Sequence, residues 1–255
     1  MTGSHLWQSL THRIRTRSGQ LTFLYEADHS QPADPPKRLL WAIECAGPVA
    51  GQRIVDIGCW TGTLLALLVP LHPAELVGVD VPGPWLSVAR DTLPVATILA
   101  VESLTDIPAT FHRKFEIVFF LETLEHLPRS SQLAALRTLA ALLAPGGKLV
   151  LSTPAAGFAA LLDPAWYFVG HRHYRLSTLL ALLSSAGLDC SASYYSGNFW
   201  ASAETLLLYV YKHLLHRRYS PPTHISAWSA TGLRRRRRLD STNVWIEARL
   251  CSCVA

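Results

Sequence analysis

Glu122-x-x-Glu125-His126 and the later histidines His171 and His173 are the side chains of this 255-residue chain best suited to chemistry. Carboxylates and imidazoles can relieve a nucleophile of its proton, or hold a hard or borderline divalent cation. If the segment from Glu122 is helical, positions i, i+3 and i+4 share one face, so two acids and an imidazole converge. A fourth ligand is then available from His171-Arg172-His173-Tyr174. The metal-free alternative stands beside this one: the acids touch a bound ligand, and a histidine packs or acts as a general base.

The elements around this set must place it. Phe115 to Leu121 is apolar throughout, as expected of a strand covered on both faces. Glu122 follows its carboxyl end, where open α/β sheets gather their ligands. Upstream, Arg53-Ile54-Val55 runs into Asp56, Gly58 and Gly62, and Thr63 to Val69 reads as a helix behind this turn. Glycines there let backbone approach a ligand closely. Glu75 to Asp80 is a second strand ending in an acid, about 20 residues on, as a ribose-binding carboxylate requires. Trp60 fills a position that the hydride-transfer pattern G-x-G-x-x-G reserves for glycine.

Helices are expected over Lys37–Ala46, from Pro84 to Arg90, from Gln132 to Leu143 and from Leu176 to Ala186, the last closed by Gly187. Val95 to Val101 reads as the third strand, with Glu102 at its end. Ala144-Pro145-Gly146-Gly147 reads as a turn into a strand over Lys148 to Ser152, and Leu188 to Tyr195 and Asn243 to Leu250 complete the set. Alternating strands and helices predict an α/β, doubly wound, mostly parallel seven-stranded sheet with helices on both faces. Residues 37–197 and 243–255 form its main domain. Residues 1–36 are a basic, amphipathic leader segment, and residues 198–242 are a helical basic insertion before the last strand, with an apolar helix from Glu204 to Leu215 and an arginine block at 234–238.

VDIGCWTG (55–62), GVD (78–80), FEIVFFLETLEHL (115–127) and LLAPGGKLVLSTP (142–154) together resemble the class I S-adenosylmethionine-dependent methyltransferases, over roughly residues 38 to 190. The resemblance implies a Rossmann-like fold and S-adenosylmethionine as cofactor. It places Asp56, Gly58, Gly62, Asp80, Glu102 and Leu121 against that cofactor. Trp60 stands where the family usually carries a small residue, which bears on the methionine side of the pocket. E-x-x-E-H is similar to the pattern in O-methyltransferases of quinone biosynthesis and in small-RNA 2′-O-methyltransferases. It implies a divalent metal (Mg or Mn before Zn or Fe) on Glu122, Glu125, His126 and His173. His173 is preferred over His171, because an aromatic and a Ser/Thr-led helix follow it as in the similar families. His126, His173 and His171 are the catalytic candidates, and Tyr167 and Tyr174 line the acceptor pocket.

Hydrophobic content of 49% and charged content of 16% mark a globular chain. Five cysteines without a C-x-x-C pair point to reduced thiols and a cytoplasmic protein, and neither a secretory signal nor a spanning helix is expected. The net charge of +5 is concentrated in the arginine block, so it says little about the catalytic core. The reading is O-methylation of a hydroxyl on a small-molecule or lipid-like acceptor. Its rivals are RNA 2′-O-methylation and a non-catalytic module docking on a partner or membrane surface through 204–238.

Overall fold

The computed structural model describes residues 37–158, 171–211 and 240–251, together with Leu161, Leu215 and Leu233. The amphipathic leader, Trp166, Tyr167 and the arginine block lie outside the described residues. In chain order the elements are α1 (Lys37–Ala46), β1 (Arg53–Ile57), α2 (Thr63–Leu68), β2 (Glu75–Asp80), α3 (Trp85–Thr92), β3 (Thr97–Ala100), β4 (Phe115–Leu121), α4 (Arg129–Leu142), β5 (Leu143–Pro154), α5 (Leu176–Ser185), β6 (Leu188–Ser196), α6 (Phe199–Tyr209) and β7 (Asn243–Leu250).

The strands lie in one sheet in the order β3-β2-β1-β4-β5-β7-β6. β1 to β5 are mutually parallel where they pair, and β7 runs antiparallel to both neighbours. The chain winds outward from β1 in one direction and then returns to place β4 on its other side. That reversal makes the carboxyl ends of β1 and β4 the topological switch point, where such sheets open a crevice.

Alternation along the strands divides the core in two. Val55, Val77, Val118 and Phe120 pack on one face with α4 and α5 through Leu136, Leu139, Leu179 and Leu183. Ile54, Leu76, Ile117 and Phe119 pack on the other with α1, α2 and α3 through Leu39, Leu65 and Leu86. A sheet covered on both faces explains why β1, β2 and β4 are nearly continuous apolar runs. No helix among the described residues is long and apolar enough to cross a membrane. Cys45, Cys59 and Cys190 are free thiols.

Two expected boundaries change. Ala144 to Gly147 is not a turn before β5 but part of it: pairing with β4 starts at Leu143, shifts between Phe115 and Ile117, and resumes at Lys148. Gly146 at φ +76° absorbs this bulge. α6 starts at Phe199, five residues before the expected Glu204, because the Asn198 side chain accepts the Ala201 N–H at 3.0 Å and caps the helix. Gly187, expected as a cap, is left-handed (φ +79°) directly after α5.

Candidate active site

At the nucleotide end, the turn after β1 is held against β2 by Gly58 and Cys59, whose N–H groups both donate to the Val79 carbonyl, at 2.7 and 3.2 Å. Gly58 and Gly62 are both left-handed, at φ +84° and +77°. Their missing Cβ atoms are used by the protein itself. A Cβ on Gly58 would stand 2.3 Å from Thr123 Oγ1, and one on Gly62 would stand 2.5 Å from Leu93. Thr123 donates to the Leu121 carbonyl at 2.9 Å and reaches the Ile57 carbonyl at 3.4 Å, tying the ends of β1 and β4 together. Gly58→Ala should therefore destabilise the fold by about 2–4 kcal/mol, from left-handed strain plus overpacking. Thermal unfolding of the variant measures this, and Thr123→Ala in the same chain should recover part of the loss.

Asp80, at the end of β2, accepts two backbone hydrogen bonds, from Trp60 N–H to Oδ2 and from Val81 N–H to Oδ1, each 2.7 Å. Burial raises its pKa against these bonds, which hold the charge. A carboxylate has about four acceptor positions, so lone pairs remain for a ligand hydroxyl. Asp56 is buried (4% exposed) within β1. Desolvation first, then the nearby Asp80 charge, pushes its pKa up to about 7. Two carboxyl groups that discourage each other's charge are a setting into which a cationic ligand fits. Glu102 lies exposed in the turn after β3, outside this hydrogen-bonded set, and Leu121 is half-buried at the end of β4.

Trp60 stands out in this turn. Its backbone is left-handed (φ +52°), and its indole stacks on Trp85, the first residue of α3. The side chain therefore leans toward the start of α3, on the β2 side of the turn.

At the other end of the crevice, the expected helix from Glu122 does not form. Glu122 is left-handed (φ +48°) and Leu124–His126 is a single 3-10 turn, so i, i+3 and i+4 do not line one helical face. The Glu122 carboxylate accepts from Ser152 Oγ at 2.7 Å and from Asn243 Nδ2 at 3.0 Å to each oxygen, bridging β5 and β7. Glu125 is buried (2% exposed) and its Oε2 accepts from Thr153 Oγ1 at 3.0 Å. Oε1 has no hydrogen-bond partner among the described residues. Burial above all, with the Glu122 charge behind it, holds this carboxyl well above the usual range.

The loop from His171 to Tyr174 is fastened to the end of β5. Tyr174 N–H donates to the Pro154 carbonyl and Ala156 N–H to the Tyr174 carbonyl, both at 2.8 Å. Tyr174 does not line an acceptor pocket as expected. It is buried, its hydroxyl accepts from Gln132 and donates to the Leu124 carbonyl, and it braces the 3-10 turn. Arg172 donates to the Leu127 carbonyl from the same loop. The His171 ring thereby meets the His126 ring edge to face, centroids 4.5 Å apart. Burial, then His171 and Arg172, push the His126 pKa down to about 4, so its imidazole is neutral at physiological pH. His173 is half-buried between Arg172 and Tyr174.

Among the described residues, no three histidine, cysteine, aspartate or glutamate side chains come together as a set able to hold a metal ion. The expected four, Glu122, Glu125, His126 and His173, are not gathered into such a set. Glu122 is engaged by Ser152 and Asn243, and Glu125 is buried with one oxygen on Thr153. Ser152, Thr153 and Asn243 were missed as partners of these acids. Their signal was present: polar residues ending a strand that is otherwise buried must find hydrogen bonds.

A family profile described as "Methyltransferase domain" matches residues 24–193. Curated relatives include a ubiquinone biosynthesis O-methyltransferase of Alkalilimnicola ehrlichii, 35% identical over 46% of this chain and 48% of that one. A protein of the same description from Xanthomonas euvesicatoria pv. vesicatoria is 36% identical over 55% of this chain and 64% of that one. The chain spans about half to two thirds of the length of these relatives. Among solved structures, the [4+2]-cyclase SpnF superposes with a TM-score of 0.61 at 18% identity, covering 84% of this chain and 80% of that one. That likeness speaks for the fold alone, since one fold hosts different chemistries. With two thirds of its length inside the family profile, the chain belongs to the methyltransferase domain family, in its class I S-adenosylmethionine-dependent form.

Proposed function

We propose that this chain uses S-adenosylmethionine to methylate a hydroxyl of a small-molecule or lipid-like acceptor, of the kind that ubiquinone biosynthesis provides. The observation that carries this reading is the pairing of two ends of one crevice. Asp56 and Asp80 stand ready for a ribose and a cation at β1 and β2, and the neutral His126 imidazole, with the His171 ring against it, stands beyond β4. When bound, the cofactor supplies an electrophilic methyl group on a sulfonium.

The residues around it have three tasks. Asp80 accepts ribose hydroxyls on its remaining lone pairs, and the Gly58 turn lets backbone close on the ligand. Asp56, once ionised, favours the positive charge. His126 accepts the acceptor's proton as the new C–O bond forms and the C–S bond breaks. That proton becomes strongly acidic as oxygen gains a third bond, so a base with a pKa near 4 suffices for late transfer, and its neutrality keeps it ready. Glu125, buried and bonded to Thr153, backs the turn that carries His126.

Incubating the protein with S-adenosylmethionine and a hydroxylated quinone precursor should yield S-adenosylhomocysteine and a methyl ether, read by mass spectrometry. Methyl transfer to RNA with no ether formed would sink the reading. A pH dependence follows from Asp56. Its raised pKa leaves it protonated below about 7 in the free protein, and only the ionised form attracts the cation. Cofactor affinity should rise with pH up to about 7 and then level off, changing by up to about tenfold per pH unit below it. Titration calorimetry at pH 5.5, 6.5 and 8 checks the slope.

A further inference from the structure

Trp60 occupies a costly place. Left-handed backbone is strained for a bulky residue, and at 40% exposure the indole gains little from burial. The Trp60 backbone N–H donates to the Asp80 carboxylate. Its ring lies on Trp85 with centroids 4.5 Å apart and planes 15° apart. Trp85 follows β2 directly, so two stacked indoles stand beside the ribose-binding acid.

A second observation points to a ligand. The Trp85 indole N–H is sealed from solvent and makes no well-formed hydrogen bond among the described residues. Asp80 is the charge it lies beside, and the indole N–H helps hold that charge. A buried donor beside a carboxylate with spare lone pairs matches a ribose, which offers both hydroxyl donors and oxygen acceptors.

We propose that Trp60 and Trp85 form an aromatic wall that binds the purine nucleoside half of the ligand. The base stacks against the indole pair, the ribose hydroxyls reach Asp80, and a ribose oxygen accepts the Trp85 N–H. Aromatic faces hold bases through stacking. This rests on the S-adenosylmethionine reading and adds to it: affinity is concentrated in the nucleoside half, through Trp60, where a small residue is the family habit.

Calorimetry on the full chain and its Trp60→Gly, Trp60→Phe and Trp85→Phe variants tests this with S-adenosylhomocysteine, 5′-methylthioadenosine and homocysteine. Glycine is at home at φ +52°, so Trp60→Gly should fold, and thermal unfolding verifies it. Trp60→Gly should weaken both nucleosides by roughly tenfold or more, the scale of a lost base stack. Trp60→Phe should restore most of that affinity, and Trp85→Phe should weaken both nucleosides while keeping the stack. The near-ultraviolet circular dichroism of the stacked indoles should change on nucleoside binding in the natural chain and not in Trp60→Gly. Unchanged or tighter binding of both nucleosides by Trp60→Gly would overturn the wall and leave the methyltransferase reading standing. If the natural chain bound neither nucleoside, while remaining folded, both would fall.

Discussion

Replacing His126 by alanine should lower turnover by about a hundredfold or more, the usual scale for a lost general base, with cofactor affinity unchanged. The imidazole sits on the 3-10 turn after β4 and takes no part in the hydrogen bonds that hold Asp80, so cofactor binding should persist. His171, whose ring meets His126, should show a smaller loss, because it acts through its neighbour. The pH profile separates base from scaffold. With His126 neutral from about pH 4 upward, turnover at saturating cofactor should stay flat across pH 5.5–8, while kcat/KM for the cofactor falls below 7 with Asp56. Arg172→Met removes a cation that depresses the His126 pKa, so the acid limb of turnover should move upward. Loss of both turnover and cofactor binding in His126→Ala, with lowered thermal stability, would make the histidine a packing residue. Excess chelator should leave turnover intact, since among the described residues no set of side chains is gathered to hold a metal ion.

The sheet was legible because its strands carry their environment in their composition. Phe115 to Leu121 can only be a strand covered on both faces, and Asp80 can only be the polar end of one. The parallel register then follows from the crossover helices. What stayed hidden is set by contacts between residues far apart in the chain. Nothing near Glu122 says that Asn243, 121 residues later, will hold its carboxylate. Nothing near Leu124 says that Tyr174 will brace a 3-10 turn and so defeat the helical periodicity of E-x-x-E-H. Trp60 was visible as a departure, but its direction depends on Trp85, and the spacing of the turn alone does not set it. The glycines were legible as a turn; that Thr123 and Leu93 need the space as much as a ligand does was not.

Asp80→Ala should weaken nucleoside binding by about 1.5–3 kcal/mol, the range for a hydrogen bond to a charged group, or roughly ten- to a hundredfold in Kd. The loss has two sources. The ribose loses its acceptor, and the Trp60 and Val81 N–H groups lose the carboxylate that orders the glycine turn. Asparagine should not rescue it well. Its amide presents an NH₂ where one of those N–H donors needs an acceptor, so Asp80→Asn keeps the shape and breaks one bond by donor–donor opposition. The same substitution has a second, signed consequence at Asp56. The Asp80 charge is the second cause of the raised Asp56 pKa after burial, so removing it lets Asp56 ionise at lower pH. In Asp80→Ala the pH at which affinity levels off should therefore move below 7, even though affinity itself is weaker throughout. Calorimetry with S-adenosylmethionine at several pH values reads both effects in one series. Wild-type affinity in Asp80→Ala would remove the ribose assignment. Weaker affinity with the inflection still at 7 would keep the ribose contact and break the electrostatic link between the two carboxyl groups.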